Sequence, residues 1–280
     1  MTERPPSSIQ LIRMCLTIAL QRRFIIWLPV LGFLLNTLVI VLILTPLARY
    51  TDQAIRLHTL SGEKIAEYVI IILFLVFITH QIIFFINSAV MIFIEQQQSS
   101  TPSLRQSCYA ALQTVWPMYL WHSFAAIFGF WFVLFHLKWM EFPWYQRWVN
   151  KMNWIYATFL VHPIVTFEKR LPIEAVKCSA QLMEQTWGTP LTINYSFGWF
   201  VSILQFIALL PIIITLILHT NLPMLITALI ISLLLSCLVS ILNSLTRNVL
   251  QYVLYVYAKQ QKAFPPFIED QLKRLYLRRN

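Results

Sequence analysis

The sequence is short of charge. Asp, Glu, Lys and Arg make up 11% of its 280 residues, while hydrophobic residues make up 58%. Soluble domains carry about 25% charged residues, so a soluble fold of this length would have too few charges to cover its core. Disorder is excluded as well, because 15% of the chain is aromatic and disordered chains are poor in aromatic and β-branched residues. Glycine is scarce, with five residues, which leaves little material for the unwound helices of secondary transporters. No long apolar run contains Asp or Glu, so cation-coupled transport loses its usual carboxylate. H-E-x-x-H, a Walker loop and G-x-S-x-G are all missing, and with them the metalloprotease, P-loop and serine-hydrolase readings. The four cysteines, Cys15, Cys108, Cys178 and Cys237, form no C-x-x-C and stand at no zinc-finger spacing from a histidine. They read as free thiols.

The sequence is rich in long apolar runs. Six are long enough, or nearly so, to cross about 30 Å of hydrocarbon: Phe24–Leu44, Tyr68–Ile94, Leu112–Leu137, Trp154–Phe167, Phe197–Leu218 and Leu222–Tyr257. The first is too long for a signal peptide and has no small-residue cleavage site behind it, so it reads as a retained span. The alternating segments of an outer-membrane barrel are absent. The fourth run is short and recruits Val149–Asn153 or sits tilted. The sixth, about 54 Å if wholly helical, must protrude or break. The expected fold is an all-α polytopic bundle filling 1–280, with an amphipathic N-terminus over 1–23 and a basic tail over 258–280.

The net charge of +10 would suit nucleic acid in a soluble protein. Here its placement matters more. Arg4, Arg13, Arg22, Arg23, Arg105, Lys169, Arg170, Lys177, Lys259, Lys262, Lys273, Arg274, Arg278 and Arg279 fall on one side of the six-span topology. Only Arg49, Arg56, Lys64, Lys138, Arg147 and Lys151 fall on the other, and Arg247 lies within the last helix. Both termini are therefore expected in the cytoplasm of a bacterial inner-membrane protein, and nucleic acid is not an expected partner.

A polar segment with helical periodicity precedes each odd-numbered span. The stripes are Ile9, Ile12, Leu16 and Leu20; Leu104, Cys108, Ala111 and Val115; and Ile173, Val176, Ala180, Met183 and Trp187. Three amphipathic helices lying at the cytoplasmic interface account for them. The order suggests a threefold parallel repeat of one interfacial helix and two spans.

Several elements resemble a known family: Phe85-Ile86-Asn87-Ser88-Ala89; Thr101-Pro102-Ser103-Leu104-Arg105; Ala157-Thr158-Phe159 with Pro163 and Glu168; Glu174-Ala175-Val176-Lys177-Cys178-Ser179 with Thr186-Trp187-Gly188; and Tyr255-Val256-Tyr257-Ala258 with Phe264-Pro265. The family is a set of bacterial and archaeal integral membrane proteins catalogued as a domain of unknown function. It is similar to the membrane domain of some glycerophosphodiester phosphodiesterases. The resemblance implies a six-span bacterial membrane fold and no activity. The sequence departs from the family at His162 and in its aromatic 3–4 connection (Trp139, Phe142, Trp144, Tyr145, Trp148), which reads as an interfacial belt or a partner-binding patch.

Polar groups in hydrocarbon are costly and so are candidates for function. Asn36, His80 and His122 fall near the bilayer midplane, with Gln205 and Ser236 close in depth. They form either a small binding or proton-relay site, in which His80 and His122 titrate, or interhelical hydrogen bonds that glue the bundle. Asn87 lies two turns beyond His80 on the same face and carries the same two readings. His162 and Glu168, six residues apart, would not meet on a straight helix. In the last run Ser232, Ser236, Ser240, Asn243, Ser244, Arg247 and Gln251 line one face, where small residues allow close helix approach. Arg247, Lys273 and Arg274 are candidate contacts for a lipid headgroup, with anionic phospholipid the expected class. No catalytic constellation, metal site or cofactor is expected. The primary reading is a non-enzymatic membrane protein acting in envelope organisation, lipid interaction or assembly of a membrane complex, with a membrane protein or a second copy as partner. The alternative is a transporter or channel that uses the midplane polar layer for a small solute or lipid.

Overall fold

A computed structural model of the chain describes residues 8–56, 62–99, 101–139, 157–187, 196–218, 221–269 and 272. Among these residues the protein is all-helical. Its elements are α1 (Ser8–Ala19), a 3-10 turn (Arg23–Ile26), α2 (Trp27–Arg56), α3 (Gly62–Ser99), α4 (Leu104–Leu112), α5 (Val115–Trp139), α6 (Val161–Glu168), α7 (Pro172–Trp187), α8 (Ser196–Ile217) and α9 (Leu222–Gln260). Among the described residues three segments are long and apolar enough to cross a membrane: Arg23–Leu47, Gly62–Gln98 and Pro223–Gln260. The third and fifth apolar runs form α5 and α8, and Val201–Ile217 in α8 is a shorter apolar stretch. The sixth run does not break. α9 is continuous over 39 residues, about 58 Å, and exceeds the hydrocarbon by several turns.

The fourth run differs from the others. Its first residues, 154–156, and the proposed extension over 149–153 lie outside the described residues. The described part ends in α6, eight residues long, with Val161 through Thr166 all buried. At about 12 Å this helix alone cannot cross a bilayer.

The three amphipathic helices expected before the odd spans are present as α1, α4 and α7. Their buried faces differ from the expected stripes. In α1 the core side is Ile12, Cys15, Ile18 and Ala19, while Ile9 is 71% exposed. In α4 it is Ser107 and Ala111, with Val115, at the start of α5, also exposed. In α7 it is Ala175, Ser179, Met183 and Trp187, while Ile173 is 58% exposed. Small residues share the inward side with Ile12, Ile18, Met183 and Trp187, and several other large apolar residues point outward. Close packing against other helices favours Ala, Ser and Cys, and a helix at a membrane interface turns its bulk toward lipid.

The core lies at one end of the bundle, here called the basic end. α1, α4, α6 and α7 gather there around the last turns of α3 and α9, together with Phe267 and Leu272 beyond α9. Gln98 Nε2 donates to the Tyr252 hydroxyl at 3.1 Å, which ties the C-terminal ends of α3 and α9 together. Trp187 Nε1 donates to the Leu272 carbonyl at 3.0 Å. Gln96 Oε1 takes over capping of α4, accepting from the Ser103 N–H (3.3 Å) and the Ser107 hydroxyl (3.0 Å). At the other end, α2, α3, α8 and α9 expose long apolar stretches. The start of α9 is fixed by Asn221, whose side chain accepts from the Met224 N–H at 3.3 Å, with a proline in the first turn.

Candidate functional site

Polar side chains gather at three levels. The level farthest from the basic end holds the expected layer. Gly32 of α2 sits against Ile86 of α3; a Cβ on Gly32 would lie 3.0 Å from Ile86 Cγ1. α2 and α3 are consecutive and packed together. Their antiparallel register sets Asn36 level with Gln81 and Ile82, one turn further along each helix. Asn36 Oδ1 and Gln81 Nε2 are both buried without a hydrogen-bond partner among the described residues. His80 and His122 face each other with ring centroids 6.5 Å apart. His80 is exposed and gives Nδ1 to the Val76 carbonyl at 3.1 Å, one turn back. His122 is buried, with neither ring nitrogen partnered among the described residues, and Phe84 packs edge-on against it at 4.0 Å. Gln205 stands apart and donates to the Ser236 hydroxyl at 3.0 Å, joining α8 to α9. One turn away, Ser232 Oγ accepts from the Ile212 N–H at 3.3 Å, just past Pro211 inside α8.

The second level is a buried network that the sequence marked only in part. Asn87 Oδ1 accepts from the Ser244 hydroxyl and from Asn248 Nδ2, both at 2.8 Å, joining α3 to α9. The neighbouring Ser88 turns the other way. Its hydroxyl lies 3.0 Å from His162 Nε2 and 3.0 Å from Thr166 Oγ1 on α6. Phe84 lies between the two rings, tilted toward His162 with centroids 4.1 Å apart and edge-on to His122 at 4.0 Å. Gln251 Nε2 holds the carbonyl of Phe159 at 3.2 Å, and the Ser179 hydroxyl accepts from the Leu160 N–H at 3.1 Å. Together these bonds anchor the entry to α6. Neither Ser88, beside Asn87, nor Thr166 carries a spacing that points to the other helix. The available signal was the spacing of His162 and Thr166, four apart on one helical face.

The third level is the corner between α6 and α7. Glu168 Oε1 accepts from the Tyr255 hydroxyl at 2.8 Å and from Lys259 Nζ at 3.0 Å, while Oε2 accepts from Arg170 Nε at 2.6 Å. Tyr255 stacks on Phe167, and the Lys259 ammonium lies 5.5 Å from the Tyr255 ring centroid. Lys169, at the C-terminus of α6 with φ 54°, reaches Gln113 Oε1 at 3.2 Å. This bond joins the α4–α5 corner to the α6–α7 corner. Partial burial by itself would raise the Glu168 carboxyl, but the bonds from Lys259 and Tyr255 and the charges of Lys259 and Arg170 outweigh it and hold the group below its usual range. Cys178 stands in the same field; burial and Glu168 push its thiol up against the opposing pull of Arg170 and Lys259.

Glu168 therefore pairs with cations from α9 and its own corner, and His162 pairs with Ser88; the two do not meet. Arg247 is exposed, between buried Thr246 and Asn248. Lys273, Arg274 and the aromatic residues Phe142, Trp144, Tyr145 and Trp148 lie outside the described residues. All four cysteines are free. Among the described residues no group of three His, Cys, Asp or Glu side chains could hold a metal.

Comparison with known proteins gives one relation. A family described as "Family of unknown function (DUF6159)" matches residues 65–264. The chain belongs to that family, and the match takes in all three polar levels except the α2 residues. No curated protein and no solved structure matches the chain.

Proposed function

We propose that the protein is a six-span, non-enzymatic component of a bacterial inner membrane, with both termini cytoplasmic, that organises lipid or a membrane complex through a collar of interfacial helices. The carrying observation is the inward turn of small residues on α1, α4 and α7. Cys15, Ala19, Ser107, Ala111, Ala175 and Ser179 are buried, while Ile9, Tyr109, Leu112 and Ile173 are exposed. The collar buries Ile18, Met183 and Trp187 but leaves these other large side chains facing outward. They lie at the end of the molecule where Arg13, Arg105, Lys169, Arg170, Lys177 and Lys259 also lie, a combination suited to anionic headgroups above an apolar layer. The test is purification of the full chain in mild detergent, followed by measurement of co-purified phospholipid. Enrichment of anionic over zwitterionic lipid relative to the source membrane is expected, and equal proportions would sink the reading.

A second reading, a conduit for a small solute, is favoured by one observation. His122 is buried with both ring nitrogens unpartnered, and Asn36 Oδ1 and Gln81 Nε2 are in the same condition among the described residues. Groups of this kind in hydrocarbon call for water or a ligand. Water-soluble thiol reagents applied to cysteines placed at 79 and 83, in a variant whose four native cysteines are Ser, separate the two readings. Labelling at either position supports a wet cavity, and its absence at both supports a sealed bundle.

A further inference from the structure

We propose that the α6–α7 corner is a binding site for the phosphate of an anionic phospholipid, formed by Arg170, Lys259 and Lys169 with acyl contacts on Leu171 and Ile173. The inference rests on the lipid-facing reading of the collar and gives it a location.

Glu168 acts as the organiser. One carboxylate holds two cations from different elements, Arg170 at 2.6 Å and Lys259 at 3.0 Å. The corner therefore keeps an excess of positive charge. Among the described residues Arg170 uses only Nε, toward Glu168, so both terminal nitrogens of its guanidinium are available as a fork for phosphate oxygens. Lys259 commits two of its three N–H donors, to Glu168 and to the Tyr255 hydroxyl. Lys169 commits one, to Gln113. Arg170 and Lys259 have side chains about half exposed, so a ligand reaches them from outside. Holding the cations in place beforehand lowers the ordering cost of binding.

The surroundings select a lipid over a free ion. Leu171 and Ile173, directly beside Arg170, are exposed. The Lys169–Gln113 bond brings the α4–α5 corner alongside, where Leu112 and Trp116 are also exposed and Trp116 stacks on Tyr119. Basic donors bordered by exposed apolar and aromatic side chains match a headgroup above its acyl chains. A free phosphate would gain nothing from these apolar neighbours.

The experiment uses the full chain in detergent, with phosphatidylglycerol or phosphatidylcholine added in mixed micelles and bound lipid counted by native mass spectrometry. The variants are Arg170→Gln, Arg170→Gln with Lys169→Gln, and Arg13→Gln as a control elsewhere on the basic end. The expected result is a preference of the unaltered chain for phosphatidylglycerol, reduced about fivefold in Arg170→Gln and further in the double variant, and unchanged in Arg13→Gln. Thermal unfolding without added lipid should stay the same, because Arg170 is exposed and paired only at the surface. Undiminished preference in the double variant overturns the site and leaves the collar reading standing. No preference in the unaltered chain removes the collar reading and the site with it. Inorganic phosphate at millimolar concentration should not displace the lipid; full displacement would assign the corner to a free anion and overturn the lipid proposal.

Discussion

At the basic end, Cys15, Met183 and Tyr257 are sealed from solvent among packed helices; at the far end, Leu38, Leu42, Ile70, Leu73, Leu234 and Leu238, on long apolar helices, stay exposed. The difference shows which environment each region expects. The far end leaves its apolar surface to lipid tails, where burial against another helix brings no hydrophobic gain and cohesion comes from packing and occasional hydrogen bonds. The basic end packs as a water-soluble domain does, with a closed core and polar pairs such as Gln98 with Tyr252 and Trp187 with the Leu272 carbonyl. The long helices α3 and α9 run through both regions and carry the core on their last turns, so a membrane helix here doubles as the central element of a peripheral fold.

If the comparison is right, deleting a tryptophan should cost very different amounts in the two settings. Trp187 is buried against Tyr257 and donates to the Leu272 carbonyl. Trp187→Ala should cost about 3–5 kcal/mol. Trp116 is 66% exposed on the outward side of the collar, and Trp116→Ala should change stability by less than about 0.5 kcal/mol. Thermal unfolding of both variants in one detergent measures the contrast. Equal losses would mean that the collar is enclosed on both sides.

A smaller effect is expected where the two regions meet. Gly32 lets α2 lie against Ile86, which is buried, and the nearest atoms to an added Cβ include the Ile86 Cβ itself at 3.3 Å. A branched carbon so close to the backbone cannot swing away. Gly32→Val should therefore push the helices apart and cost about 1–3 kcal/mol. The check is whether Ile86→Ala restores part of that loss; a Gly32→Val protein as stable as the original would show that the approach is loose.

Next comes Asn87. Its carbonyl oxygen serves two donors on α9, whereas Gln205 serves only the Ser236 hydroxyl in the apolar half. Asn87→Ala leaves Ser244 and Asn248 without that acceptor and should cost on the order of 0.5–2 kcal/mol. Gln205→Leu should cost less, because its partner hydroxyl can turn back to a carbonyl of its own helix. Unfolding midpoints ranked in the opposite order would place the important polar bonds in the membrane-facing half.

These residues also show what the sequence could disclose. The long runs announced α2, α3, α5, α8 and α9, because lipid-exposed helices need no partner to define their pattern. The amphipathic segments announced α1, α4 and α7. Of their stripes Ile12, Ala111, Met183 and Trp187 are buried, while Ile9, Leu20, Val115 and Ile173 are exposed. Periodicity alone does not say which residues of a stripe meet another helix, nor that Cys15, Ser107 and Ser179 beside it are buried as well. Asn87 was legible as a polar group in an apolar run. Its neighbour Ser88 was not, since nothing in the spacing says that two adjacent residues reach different helices. Glu168 stood out as a charge after an apolar run, but its partners Tyr255 and Lys259 are 87 and 91 residues away, beyond the reach of local pattern.

The mildest test of the comparison is acid. Glu168 has its carboxyl held below the usual range by Lys259, Tyr255 and Arg170 against the opposing effect of burial. A carboxyl depressed in the folded state contributes stability that is fully present above its unfolded value, about 4.3, and is lost as pH falls through the folded value. Both cationic partners are about half exposed, so the contribution is at most about 1 kcal/mol. The stretches 31–44, 69–76 and 203–238 contain no Asp or Glu and have no carboxylate to lose. Lowering the pH from 6 to 3 should therefore speed amide exchange around 165–178 and 255–262, and leave those three stretches unchanged beyond the intrinsic pH effect on exchange. Glu168→Gln should abolish the local response by making the corner loose at both pH values. Uniform acceleration along the whole bundle would mean that the corner and the apolar half open as one unit.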